Sequence, residues 1–175
     1  MTEKPFFDGI GDTDTATRVV ALLKRNGLTV SFAESCTGGA AAARLVSVPD
    51  ASYVLNASLV TYANEAKIKY LGVLPETIEK HGVVSEEVAF EMAAGVANAN
   101  SAEIGVSVSG IAGPSGATDK KPVGMVCFGF YICGRVYTYT KYFGALGRNR
   151  VREASVDFIY ERLFELLNEL GNKGE

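Results

Sequence analysis

The sequence predicts an α/β protein: a three-layer α/β/α sandwich around a mixed sheet that ends in a C-terminal hairpin. Short apolar segments rich in Val, Ile and Phe alternate along the chain with longer segments of helical period. Two late β-type segments, residues 124–133 and 135–143, are separated only by a turn at Gly134 and so form an antiparallel pair. The 175 residues, 47% hydrophobic and 21% charged, suffice for one core but not for two domains of comparable size.

Residues 1–12 mix Gly, Asp, Phe and Pro without a period and read as a flexible N-terminal arm, which leaves a single domain over residues 13–175. A cap at Thr13 or Asp14 opens a helix whose residues 15–25 place Val19, Leu22 and Leu23 on one face, and Asn26-Gly27 ends it. Leu28, Val30 and Phe32 then alternate with Thr29 and Ser31, as a strand does. Residues 33–39, AESCTGG, make a glycine turn into an Ala-rich helix that reaches Val46 and is broken by Pro49-Asp50. Residues 54–62 form the next strand, after which Asn64 caps a helix over 65–71 closed by Gly72. Pro75 opens a short helix ending near His81-Gly82, and Ser85-Glu86-Glu87 opens a longer one through Asn98. Ile104, Val106 and Val108 alternate in a third strand, and residues 110–122 form a long loop of Gly, Pro, Ser and Asp. After the hairpin, residues 148–170 carry Val151, Phe158, Leu163 and Leu166 as an amphipathic helix.

The composition closes several function classes. A net charge of −3 leaves the bulk field nothing with which to attract DNA or an anionic membrane face. No apolar run approaches the ~20 residues of a membrane span, and no apolar targeting segment is present, so the expected compartment is the cytoplasm. The single histidine, His81, rules out a two-histidine metal site and reads as a helix-terminal residue. Cys36, Cys127 and Cys133 form no CxxC pair, so a structural zinc is not expected, and no other cofactor is expected either.

Chemistry must then come from other residue types. Ser35 sits between a strand and a helix at a Thr-Gly-Gly turn, where main-chain N–H groups hold an oxyanion; the same pattern also suits a simple helix cap. Cys36 is a rival nucleophile or a small packed residue. With histidine almost absent, Lys, Tyr or a carboxylate must deprotonate a serine, and a lysine serves when burial lowers its pKa. Tyr62 and Lys67, with apolar Ala66 and Ile68 beside the lysine, are the candidates, and Lys69 is the solvated comparison. Arg148 and Arg152, four apart on one face, either grip a phosphate or carboxylate or pair with Glu153 and Asp157. Ser109 and Gly110 mark a second strand exit facing a ligand edge.

Five segments together carry a family resemblance: AESCTGG at 33–39, VTYANEAKIKYLGV at 60–73, HGVVSEE at 81–87, SGIAGPSG at 109–116 and KPVGMV at 121–126. In this order, and over about residues 15–167, the chain resembles the C-terminal domain of the CinA family, the nicotinamide-nucleotide amidohydrolases. The resemblance implies hydrolysis of the carboxamide of nicotinamide mononucleotide to nicotinate mononucleotide and ammonia, without a metal, by a homo-oligomer built from dimers. It places the nucleophile on Ser35, the general base on Lys67 and the assisting tyrosine on Tyr62, with a possible proton relay through the tyrosine hydroxyl. Thr37, Gly38 and Gly39 would line the pocket and donate to the oxyanion, Ser109 and Gly110 would border the substrate, and Arg148 and Arg152 would hold its phosphate. The second, N-terminal domain of longer members has no counterpart in these residues. The other reading the resemblance leaves open is a non-catalytic pyridine-nucleotide-binding or competence/DNA-damage-related regulatory module. Three positions depart from the family pattern: Ser109 replaces a threonine, Leu146-Gly147-Arg148 replaces a Gly-Asp-Arg run, and Ala63 replaces a serine.

Overall fold

The computed structural model describes residues 13–171, and the N-terminal arm expected over residues 1–12 lies outside them. In chain order the elements are α1 (Thr13–Asn26), β1 (Val30–Glu34), α2 (Ala40–Val46), β2 (Leu55–Val60), α3 (Asn64–Leu71), α4 (Pro75–His81), α5 (Glu86–Ala99), β3 (Ile104–Gly110), β4 (Met125–Ile132), β5 (Arg135–Tyr142) and α6 (Arg148–Gly171). The strands form one sheet in the order β2-β1-β3-β4-β5, with β1 parallel to β2 and β3 and the β3-β4 and β4-β5 pairs antiparallel. Helices α1, α2 and α6 cover one face, while α5, with α3 and α4 packed on it, covers the other. This is the expected three-layer sandwich with its late hairpin.

Local differences have physical causes. The Leu28–Phe32 alternation does not mark a wet face, because β1 is buried at all five positions and Ser31 is fully covered. A strand with neighbours on both edges and helices on both faces has no solvent side. Pro49-Asp50 ends α2's run as expected, but a 3-10 turn, Ala51–Tyr53, follows before β2. Asn64 is not the cap of α3: the cap position is Ala63, in extended conformation and with no side-chain acceptor. Ser85, by contrast, caps α5 by accepting from the Val88 N–H.

Two features set the working edge. A Cβ on Gly95 would lie 1.9 Å from the Leu71 carbonyl oxygen, so glycine lets α3 dock on α5 at backbone distance and fixes the depth of Lys67, one turn earlier. The carboxyl ends of β1, β2 and β3 reach the same edge; from there the chain leaves β1 toward β2 and leaves β3 toward β4, on opposite sides. Open α/β sheets bind ligands in the crevice such a divergence creates.

Candidate active site

Ser35 is the first residue past β1. Its N–H donates to the Val108 carbonyl at 3.0 Å, so the residue stays tied to β3 as the chain turns. The turn closes with the Gly38 N–H on the Ser35 carbonyl at 3.1 Å, and it passes through Gly38 and Gly39 at φ 62° and 95°, backbone that other residues rarely adopt. One strand away, the Thr61 N–H donates to the Glu34 carbonyl at 2.9 Å, which fixes the exit of β2 against the exit of β1.

Lys67 reaches into this junction from α3. It is fully buried, and its Nζ stands 2.7 Å from the Thr61 carbonyl oxygen, 3.2 Å from that of Tyr62 and 3.3 Å from Ser35 Oγ. No carboxylate pairs with it among the described residues. Desolvation holds its pKa below the ordinary lysine value, with Cys36 opposing weakly. A neutral amine has two N–H groups and one lone pair: the two carbonyls take the donors, and the lone pair is left for the Ser35 hydroxyl hydrogen. The geometry therefore suits proton transfer from Ser35 to Lys67. Lys69, two residues on, is exposed.

The cysteine reading resolves toward packing. Cys36 is 5% exposed, and burial, with the charge of Glu34 adding to it, pushes its thiol up to about 12. A thiol held neutral is a poor nucleophile.

The residue that sequence reasoning missed is Glu34. Its fully buried carboxylate accepts from Thr37 Oγ1 at 2.6 Å and from the N–H groups of Gly39 at 2.9 Å, Ala41 at 3.1 Å and Ala42 at 2.9 Å, with Ser58 Oγ at 3.5 Å. All five are donors, as an acceptor-only group requires. The signal was present: an acid at the end of an apolar strand, directly before a glycine turn into a helix.

Glu34 corrects part of the expected pocket. The Thr37 hydroxyl does not line it, being spent on Glu34 in a fully buried position, and the Gly39 N–H is likewise taken. The Gly38 N–H is held by Ser35. No main-chain acceptor takes the N–H groups of Cys36 and Thr37, the two residues after Ser35, among the described residues. Ser109 is 1% exposed and its hydroxyl donates to the Val83 carbonyl at 2.8 Å, so it braces the α4–α5 turn and is not among the walls of the cleft at Arg148. Tyr62 meets Lys67 only through its main-chain carbonyl, and its phenol oxygen accepts from Arg148 Nη2 at 3.0 Å. The contacts therefore do not support a relay through the Tyr62 hydroxyl.

The two arginines behave as a pair of anchors. Arg148 also donates from Nη1 to the Gly113 carbonyl at 3.0 Å, and Arg152 donates to the Thr37 carbonyl at 3.0 Å and to Asn149 Oδ1 at 3.2 Å. Neither pairs with Glu153 or Asp157; Asp157 instead meets the buried Arg44 at 2.8 Å. Two guanidiniums thus converge on the Ser35 turn and the 111–124 loop without a carboxylate. Gly147, which precedes Arg148 where the family pattern has an acid, sits at φ 91°, and its carbonyl accepts the first bond of α6.

A cleft of about 800 Å³ opens at Arg148, with Tyr62, Gly110, Gly113 and Lys121 also among its walls, while Arg152 is not on its lining. Ser35 and Lys67 are not on the cleft lining itself; Lys67 adjoins it through its bond to the Tyr62 carbonyl. Lys121 steadies the far wall by donating to the carbonyls of His81 and Val84, and His81, the last residue of α4, pairs with Glu87 at 3.0 Å. No group of three or more His, Cys, Asp or Glu side chains converges as a metal set among the described residues, and no helix there is long and apolar enough to cross a membrane.

Residues 12–167 match the family described as CinA C-terminal domain. A CinA-like protein of Kosmotoga olearia is 44% identical over 163 residues, 91% of this chain and 39% of that protein. A CinA-like protein of Dictyoglomus thermophilum is 49% identical over 144 residues, 82% of this chain and 35% of that protein. The chain therefore spans less than two-fifths of the length of these relatives. Among solved structures, the competence/damage inducible protein CihA from Agrobacterium tumefaciens matches with a TM-score of 0.86 at 38% identity, covering 96% of this chain and 99% of that one. The competence-damaged protein (CinA) superfamily protein from Klebsiella pneumoniae matches with a TM-score of 0.87 at 34% identity, covering 91% and 99%.

Proposed function

The chain belongs to the CinA C-terminal domain family, and from that membership we propose that it hydrolyses the carboxamide of nicotinamide mononucleotide by a Ser-Lys acyl-enzyme route. The observation that carries the reading is the buried, carboxylate-free Lys67 with its Nζ 3.3 Å from Ser35 Oγ. Neutral Lys67 takes the Ser35 proton as Oγ attacks the amide carbon, and the oxyanion rests on the N–H groups of Cys36 and Thr37. The tetrahedral intermediate collapses with transfer of that proton to nitrogen, and ammonia leaves an ester on Ser35. Water, deprotonated by the same lysine, attacks the ester; nicotinate mononucleotide departs and Ser35 recovers its proton.

Arg148 and Arg152 hold the substrate phosphate, so that binding far from the amide orients the carbonyl. Tyr62, with its hydroxyl on Arg148, positions that guanidinium at the cleft and takes no proton. Lys67→Met, with Lys69→Met beside it, tests the assignment: ammonia release is lost in the first and kept in the second. Full activity of Lys67→Met would end the reading. The names of relatives as competence-damage inducible proteins keep a second reading, a pyridine-nucleotide-binding or competence/DNA-damage-related regulatory module without turnover. Thermal stabilisation by the mononucleotide with no ammonia release would decide for it.

A further inference from the structure

We propose that Glu34 is the positioning residue of the Ser-Lys pair, holding the nucleophile's turn through its carboxylate and the base's site through its main chain. The inference rests on reading Ser35 and Lys67 as the reacting pair. The main-chain half is the bond from the Thr61 N–H to the Glu34 carbonyl, since the Thr61 carbonyl is the nearest acceptor to Lys67 Nζ, at 2.7 Å. The side-chain half is the set of donors from Thr37, Gly39, Ala41 and Ala42, which pulls the turn around Ser35 onto the first turn of α2.

Two consequences follow from this double role. The N–H groups at the start of α2 are already consumed by an internal anion, so they are closed to a substrate phosphate, and the arginines of α6 are left as its anchors. The two halves also respond differently to substitution. Changing the Glu34 side chain leaves the carbonyl bond to Thr61, and hence the surroundings of Lys67, in place. It replaces an acceptor by a donor-bearing group facing three N–H groups, or removes the acceptor, and so releases the Ser35 turn alone.

The test uses the full chain and two readouts: ammonia release from nicotinamide mononucleotide, and the rate at which a fluorophosphonate probe labels Ser35. Both are taken well below each variant's melting temperature. Glu34→Gln is expected to lower kcat and the labelling rate together by about 100-fold, the scale on which a misplacement of about 1 Å acts. The pH at which the activity of Glu34→Gln half-rises should stay where the wild type has it, a result that general loosening of the fold would not give. Thr37→Val, which removes one hydrogen bond to the charged group, is expected to cost about tenfold, and Thr37→Ser to recover much of that loss. Glu34→Gln labelling Ser35 at the wild-type rate would overturn the proposal. If Glu34→Gln does not fold, wild-type behaviour of Thr37→Val overturns it instead. A wild type that labels at Ser35 and shows these losses, yet releases no ammonia, upholds Glu34 and removes only the assigned substrate. A wild type that neither labels nor turns over removes both.

Discussion

Lys67 Nζ, on a buried side chain, lies 3.3 Å from Ser35 Oγ with main-chain carbonyls as its other hydrogen-bond partners. A lysine so placed acts as a base only in its neutral form, and burial favours that form. Activity is therefore expected to rise with pH and level off below the pH at which an ordinary lysine titrates. A half-rise at the ordinary lysine value would contradict this. Stability carries the same signature. Because the folded-state pKa of Lys67 lies below its unfolded value, charging the buried amine penalises the fold at low pH, and the penalty fades as pH climbs to the unfolded value. The wild type should gain melting temperature across that window relative to Lys67→Met, and parallel curves for the two would refute it.

The arginines lend themselves to a kinetic separation. Arg148→Ala and Arg152→Ala are each expected to raise KM for the mononucleotide about 10- to 100-fold, the range of a charge-assisted hydrogen bond. With the riboside, which lacks the phosphate, the same substitutions should change little. Equal losses on both substrates would mean that the arginines shape the turn and do not bind phosphate.

Tyr62 distinguishes a relay from a positioning contact. Its phenol oxygen is bonded to Arg148 and its carbonyl to Lys67, so Tyr62→Phe should keep kcat within about tenfold and act mainly on KM. A loss on the general acid–base scale, about 10²- to 10⁴-fold in kcat, would restore the relay.

Ala63 occupies the cap position of α3, the helix that carries Lys67, and offers no side-chain acceptor. Ala63→Ser should stabilise the protein by about 0.5–2 kcal/mol, read as a rise in melting temperature, with kcat unchanged. An unchanged melting temperature would show that the first turn of α3 is already satisfied.

Much of this was legible along the chain, and the remainder shows what periodicity lacks. Element order, the hairpin at Gly134 and the helix start at Pro75 follow from local spacing and turn chemistry. The single histidine left lysine, tyrosine or a carboxylate to deprotonate a serine, and the structure brings Lys67 to Ser35. The hydroxyls were read less well, because their partners are set by tertiary packing: Ser109 bonds to Val83, 26 positions away, and Thr37 turns inward to Glu34. Ser31 is fully covered although it alternates with apolar residues, since a polar residue on such a strand is wet only where a face is open. Glu34 escaped notice because a buried carboxylate is recognised by its donors, three of which are backbone groups that no side-chain pattern displays.

The central claim is met most directly by incubating the purified protein with nicotinamide mononucleotide and measuring ammonia and nicotinate mononucleotide together, beside Ser35→Ala and Lys67→Met. The account predicts equimolar formation of both products by the wild type and a fall of at least about 10³-fold in each variant, as removal of a nucleophile or its base produces. Undiminished product formation by Ser35→Ala, or none by the folded wild type, would contradict it.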